Sequence, residues 1–133
     1  MTIAKYIRLS SADEAARFGE KEESNSIINQ RRLLDGYIAA SPEFAGWRVL
    51  EFQDDGKSGT NLNRPGIQAL LAQARQGEID CVIVKDLSRL GRNHLDTDDL
   101  LGMVFPFLQV RFISLNDMYD SALQVYGTAG DID

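Results

Sequence analysis

Apolar positions along this chain follow two periods, one suited to strands and one to helices. From Ile3 to Leu9 apolar and polar residues alternate weakly among β-compatible types, and Ser10-Ser11-Ala12-Asp13 then supplies loop or helix-cap residues. A strand followed by a loop is expected there. Between Ser24 and Ala40, the residues Ile27, Ile28, Leu34, Tyr37 and Ile38 return to one face at helical spacing, and Ser41-Pro42 ends the helix. Trp47 to Phe52 predicts a second strand that runs into the polar, glycine-bearing stretch Gln53 to Asn63. At Arg64-Pro65-Gly66 proline stands where a first helical turn accepts it. Ile67, Leu70, Leu71 and Ala74 then form an apolar stripe, with Gly77 placed as C-terminal cap.

The run Ile79 to Val84 is continuously apolar and rich in β-branched residues, which predicts a strand covered on both faces at the centre of a sheet. Leu100, Leu101, Val104, Phe105 and Leu108 outline a further helix, in which Pro106 would meet the carbonyl of Gly102 and require a local adjustment. Val110 to Leu115 predicts a fourth strand. Asn116 to Asp133 holds no sustained apolar period and reads as a loop in which the chain stops. Alternating strands and helices predict an α/β fold, a largely parallel central sheet flanked by helices, with functional loops at the strands' carboxyl ends.

The 133 residues suit one domain, and 44% apolar with 26% charged residues is ordinary globular usage rather than the signature of disorder. With one cysteine and one histidine, neither an internal disulfide nor a cysteine- or histidine-rich metal centre can form within the chain. No apolar run approaches the roughly 18 residues of a membrane span, and the N-terminus lacks a secretory h-region, so an intracellular, cytoplasmic protein is expected. The net charge of −6 has an uneven source: residues 93–133 carry Arg111 against seven aspartates, while the preceding stretch is balanced. Such a chain is a poor independent binder of nucleic acid, because that affinity comes mainly from Lys and Arg neutralising phosphates.

The fold rule would bring three polar loops to one edge: Arg8 and Ser10; Asp55, Ser58 and Arg64; Lys85, Arg89 and Arg92. Guanidinium groups match phosphate oxygens in a planar fork and stay charged at working pH, so converging arginines can stabilise a phosphoryl transition state without a metal. A serine among them is then a candidate nucleophile. The competing reading has Arg89 and Arg92 in surface ion pairs with the Asp-rich helix that follows. Asp55-Gly56-Lys57-Ser58-Gly59-Thr60 evokes a phosphate-binding P-loop, but the required upstream glycine position holds Glu51 and no helix opens directly after Ser58. Asp54 and Asp55 read as turn formers rather than magnesium ligands. Cys81 reads as a buried small hydrophobe, His94 as incidental, and Trp47 and Phe52 as packing residues rather than base-stacking platforms.

Three ordered motifs carry a family resemblance: Tyr6-Ile7-Arg8-Leu9-Ser10, Asp55-Gly56-Lys57-Ser58-Gly59 with Arg64-Pro65 following, and Lys85-Asp86-Leu87-Ser88-Arg89-Leu90-Gly91-Arg92. Together with Ser114-Leu115-Asn116-Asp117 they resemble the catalytic domain of the serine recombinases, the resolvase and invertase family, and in particular a large serine recombinase of a mobile element. The resemblance implies a site-specific recombinase in which Ser10 attacks the scissile phosphodiester, leaves a 3′ hydroxyl and holds the 5′ end as a phosphoserine. A serine ester splits one hard exchange into two reversible steps and needs neither ATP nor another cofactor. By the same resemblance Arg8, Arg64, Arg89 and Arg92 stabilise the phosphate, while Gln30, Asp55, Ser58 and Ser88 support the site. Small resolvases usually carry an acid at the Ser88 position, so proton transfer here falls to another group, an arginine or a water. Ser11 is the rival nucleophile, and the Arg-x-Ser register favours Ser10.

The family further implies that residues 1–133 are the N-terminal catalytic domain alone, with a dimerisation helix and DNA-binding domains lying outside this chain. DNA would be its partner, bound weakly by this fragment, and the full-length protein would form dimers and tetramers. Two other readings compete: a non-catalytic module that keeps the fold for self-association, and a metal-dependent nuclease using Asp54, Asp55 and Asp86.

Overall fold

A computed structural model describes residues 1–8, 20–55, 64–90 and 94–123. Five strands form one sheet: β1 (Thr2–Arg8), β2 (Arg48–Asp54), β3 (Cys81–Val84), β4 (Arg111–Ser114) and β5 (Tyr119–Asp120), in the order β2-β1-β3-β4-β5. The first four run parallel, and β5 is antiparallel to β4. Among the described residues the longer helical segments that connect them are α1 (Glu20–Ala40), α2 (Pro65–Arg75) and α3, which begins as His94–Asp99, widens into a π-helical stretch Leu100–Val104 and closes as Phe105–Phe107.

Alternation along β1 divides the core into two layers, because successive side chains leave opposite faces of a strand. Ala4 and Tyr6 join Ile67, Leu70, Leu71 and Ala74 of α2 and Leu100 and Phe105 of α3. Ile3 and Ile7 join Leu34 of α1 and Phe44 on the opposite side. The central strand β3 is buried along its whole length, as its unbroken apolar run requires.

The strand order reverses direction between β1 and β3. Chain connections leave these two neighbours toward opposite sides of the sheet, which opens a crevice at their carboxyl ends. Arg8 ends β1 at that crevice, and the loop after Val84 begins there.

Several sequence expectations are refined. Ile28 is exposed, and the buried face of α1 instead runs through Ile27, Gln30, Leu34, Tyr37 and Ile38, because Gln30 lies one turn before Leu34 whereas Ile28 is rotated away. The second strand reaches Asp54, since pairing with β1 continues through Arg8↔Asp54. Trp47 precedes that strand and packs edge-on against Phe44, with ring centroids 4.9 Å apart. The loop expected after Asn116 contains β5, which is too short to show a period. It is held by paired hydrogen bonds from Arg111 to Asp120 and by Ser121 Oγ accepting from the Phe112 amide at 2.9 Å. Met118 makes that turn with φ 51°.

The adjustment at Pro106 is the π-helical stretch itself, in which the amide of Phe105 reaches back to the Leu100 carbonyl. The wider turn relieves the proline's clash with the preceding carbonyl. Cys81 is fully buried, and burial pushes its thiol up to about 12, which leaves it an inert hydrophobe.

On the α1 side, Lys5 lies buried between Asp35 at 2.6 Å and Glu51 at 3.1 Å. Arg31 clasps Glu51 through two hydrogen bonds of 2.9 and 2.8 Å. The Arg31 bonds, helped by Gln53 and Lys5 and opposed by partial burial, lower Glu51 from an ordinary 4.5 to about 2. The unfolded chain therefore takes up this proton at higher pH than the folded one. The stabilisation is complete above about pH 4.5 and is lost as pH falls toward 2. With Arg31 open to solvent, the screened contribution is about 1–2 kcal/mol. Glu51→Gln is expected to flatten the fall in unfolding free energy between pH 5 and 2 by about that amount. Urea titrations across that range check it, and an unchanged slope would refute it.

Candidate active site

Arg8 is the last residue of β1, on the same face as Tyr6, and it is 2% exposed. Burying a guanidinium is costly unless its donors find acceptors. Arg8 Nε donates to the Arg89 carbonyl at 3.0 Å and Nη2 to the Ser88 carbonyl at 2.6 Å. Arg89, 3% exposed, returns the contact by donating Nη1 to the Arg8 carbonyl at 2.6 Å. The two arginines thus tie the end of β1 to the loop after β3 in both directions.

Gln30 clamps the same strand end from α1. Its Nε2 donates to the Arg8 carbonyl at 3.2 Å, and its Oε1 accepts from the Arg8 amide at 3.4 Å. A buried glutamine on an otherwise apolar helix face thereby satisfies the backbone amide and carbonyl at the strand's end.

Arg64 occupies the N-cap position of α2 in an extended conformation, as a residue before proline favours. It is 1% exposed and donates Nη2 to the Leu90 carbonyl at 2.5 Å and Nε to the Tyr6 hydroxyl at 3.2 Å. Consecutive carbonyls of Ser88, Arg89 and Leu90 therefore accept from Arg8 and Arg64, which fixes the course of this loop at the crevice.

The loop turns through a short 3-10 helix, Leu87–Arg89, capped by Asp86. Asp86 Oδ1 accepts from the Ser88 amide at 3.1 Å and from the Ser88 hydroxyl, while its other oxygen lies 3.5 Å from Arg89 Nη2. Ser88 is exposed. Arg89 is buried within its own loop rather than at the surface beside the Asp-rich helix, which overturns the surface ion-pair reading for this residue.

Asp54 is neither a turn former nor placed as an open metal ligand. It ends β2, and its Oδ1 accepts from the Gly66 amide at 2.7 Å while Oδ2 accepts from the Ile67 amide at 2.9 Å and the Tyr6 hydroxyl at 2.7 Å. This carboxylate satisfies the free amides at the N-terminus of α2 from a neighbouring strand. Asp55, one residue on, is exposed. Among the described residues, no group of three or more His, Cys, Asp or Glu side chains is arranged around a common metal position.

Of the sequence-derived site residues, Arg8, Gln30, Arg64, Ser88 and Arg89 are joined by the contacts above. Ser10 and its rival Ser11, together with Ser58 and Arg92, lie outside the described residues, as does the side chain of His94. Sequence does not single out Tyr6 for the site, and it offers Asp54 and Asp86 only in the competing nuclease reading. Tyr6 has a visible signal, a hydroxyl at the buried parity of β1 two residues before Arg8. Gly66 hints at Asp54, since a Cβ there would lie 2.8 Å from the Asp54 carboxyl carbon and 2.3 Å from the Gln53 carbonyl oxygen.

Residues 3–128 match the family model described as Resolvase, N terminal domain. A Bacillus subtilis (strain 168) protein named "Putative DNA recombinase" is 34% identical over 103 residues, which cover 74% of this chain and 18% of that protein. The chain thus spans about a fifth of that relative's length. Among solved structures, the N-terminal catalytic domain of TP901-1 integrase superposes with a TM-score of 0.71 at 29% identity, covering 99% of this chain and 95% of that one. A resolvase family site-specific recombinase from Streptococcus pneumoniae shares the fold, with a TM-score of 0.68 at 20% identity and coverage of 99% and 87%.

The clamp on Arg8 is testable without any activity. Gln30→Leu is expected to destabilise the domain by about 1–3 kcal/mol, the cost of leaving buried backbone groups short of a partner. Denaturant unfolding checks the magnitude, and hydrogen exchange should show faster exchange at the Arg8 amide. Wild-type values in both would refute the clamp.

Proposed function

The chain belongs to the resolvase family, the serine recombinases, and we propose that it is the catalytic domain of a site-specific DNA recombinase that breaks and rejoins strands through Ser10. The observation that carries this reading is that Arg8, Arg64 and Arg89 all bind backbone carbonyls at the β1/β3 crevice, Arg8 standing two residues before the serine of the family motif. Buried guanidinium groups form a permanently charged environment for a phosphodiester.

In the proposed reaction, Ser10 Oγ forms a bond to the scissile phosphorus as the bond from phosphorus to the 3′ oxygen breaks. The serine proton leaves to a base or water, and the departing 3′ oxygen takes up a proton. The 5′ phosphate remains esterified to Ser10. Rejoining is the same exchange run backward from another strand's 3′ hydroxyl, so the ester conserves the phosphoryl bond and neither ATP nor a metal is required. Arg8, Arg64, Arg89 and Arg92 stabilise charge on the phosphate, and Gln30, Asp55, Ser58 and Ser88 support them. Asp86, hydrogen-bonded to Ser88, supplies a carboxylate near the position where small resolvases carry an acid.

The same reading makes residues 1–133 one catalytic domain of a longer cytoplasmic protein that assembles into dimers and tetramers on DNA. Its net charge of −6 leaves affinity to parts outside this chain. The metal-dependent nuclease is disfavoured by Asp54, whose oxygens are engaged by the α2 amides and Tyr6.

Two outcomes are expected. The full-length protein should cleave a nicked substrate that prevents religation, with equal yield in excess chelator and with no cleavage in Ser10→Ala; loss of cleavage on chelation would favour the nuclease. Residues 1–133 alone should bind DNA far more weakly than nanomolar in a salt titration, and nanomolar affinity would contradict the division of labour.

A further inference from the structure

The loop that carries Arg89 is fastened from outside as well as from within. Its 3-10 turn, Leu87–Arg89, opens with the amides of Leu87 and Ser88, which the turn itself cannot satisfy. Asp86 Oδ1 accepts from the Ser88 amide at 3.1 Å. The Leu87 amide donates to Asp117 Oδ2 at 2.8 Å, 30 residues further along the chain in the turn between β4 and β5. The same oxygen accepts from the Ser114 hydroxyl at 2.6 Å. Ser114 is buried at the end of β4, so its hydroxyl needs that acceptor and in turn aims the carboxylate.

Backbone bonds run beside this contact. The Leu115 amide donates to the Val84 carbonyl at 3.1 Å and the Asn116 amide to the Lys85 carbonyl at 2.8 Å, which extends the attachment between β3 and β4 past both strands. Asp117 carries that attachment on to Leu87, the first residue of the turn that bears Arg89. An aspartate that only shaped its own turn would bond within it, whereas this one reaches the loop at the crevice. Asp117 is itself exposed, so water can replace it as the acceptor for the Leu87 amide. Water satisfies the donor without fixing its place, and losing the carboxylate should therefore show in the position of the loop more than in the stability of the fold.

We infer that Asp117 is a positioning residue for strand cleavage, holding the Arg89 loop in place against the end of β1. This rests on the recombinase reading, in which Arg8 and Arg89 stabilise the phosphate. Leu87 leads directly into the segment whose Arg89 carbonyl accepts from Arg8 and whose Arg89 guanidinium donates back. A shift of the loop thus moves both charges, and small misplacements of charged groups weaken transition-state contacts steeply.

The test uses the full-length protein, a nicked substrate at saturating concentration and single-turnover cleavage. Asp117→Ala is expected to slow cleavage about tenfold with DNA affinity unchanged within about twofold. Asp117→Asn keeps an uncharged oxygen that can accept from both donors, and it should recover the rate to within about threefold of wild type, because the place of the acceptor matters rather than its charge. Ser114→Ala removes the bond that aims the carboxylate. It should slow cleavage about threefold alone and add nothing to Asp117→Ala, since Ser114 acts through Asp117.

A wild-type rate in Asp117→Ala, an Asp117→Asn as slow as Asp117→Ala, or effects that multiply in the double variant would each overturn the inference. If Asp117→Ala fails to fold, Ser114→Ala decides, and a wild-type rate there overturns it. Cleavage that persists in Ser10→Ala would instead remove the recombinase reading beneath it.

Discussion

The structure depends on a reciprocal contact between two buried arginines. Arg8 donates to the carbonyl of Arg89, and Arg89 donates to the carbonyl of Arg8. Guanidinium groups do not deprotonate in proteins, so burial cannot be relieved by losing charge and must be met with acceptors. Those acceptors are backbone carbonyls of the two segments that flank the crevice. Each arginine therefore stabilises the segment carrying the other, and these are the charges that the proposed reaction assigns to a phosphate.

The surrounding fold supplies supports from every layer. The parallel order β2-β1-β3-β4 places the ends of β1 and β3 side by side, where the chain's direction of winding reverses. From α1, Gln30 meets the backbone of Arg8; from β2, Asp54 meets α2 and, through Tyr6, Arg64. Elements with no side chain at the crevice mouth still determine where its arginines lie.

Much of the fold was legible because its signals were long or local. The stripe Ile67, Leu70, Leu71, Ala74 gave α2 closely, with Pro65 and Gly77 at its ends, and the apolar run before Lys85 marked the central strand. The two-residue β5 was not legible, since nothing so short has a period, and it is held by Arg111 on the neighbouring strand, which bonds Asp120. For the site, the placing of polar loops at strand ends offered Arg8, Arg64 and Arg89, while Gln30 and Ser88 came only from the family resemblance. Asp54 escaped because an acid capping a helix from another strand resembles a turn former in sequence, and Tyr6 because a strand tyrosine ordinarily reads as packing. Which donors meet which carbonyls is a tertiary fact with no period at all.

The central claim is that the crevice between β1 and β3, with its buried arginines, serves a covalent serine–phosphate exchange, and the most direct measurement is the identity of the bond. After reaction of the full-length protein with a nicked substrate, the protein–DNA adduct would be digested and the modified residue and strand end mapped by mass spectrometry. A 5′ phosphoryl group on Ser10 is the predicted result. A bond to Ser11, a 3′ linkage, or cleaved DNA with no adduct would contradict the account.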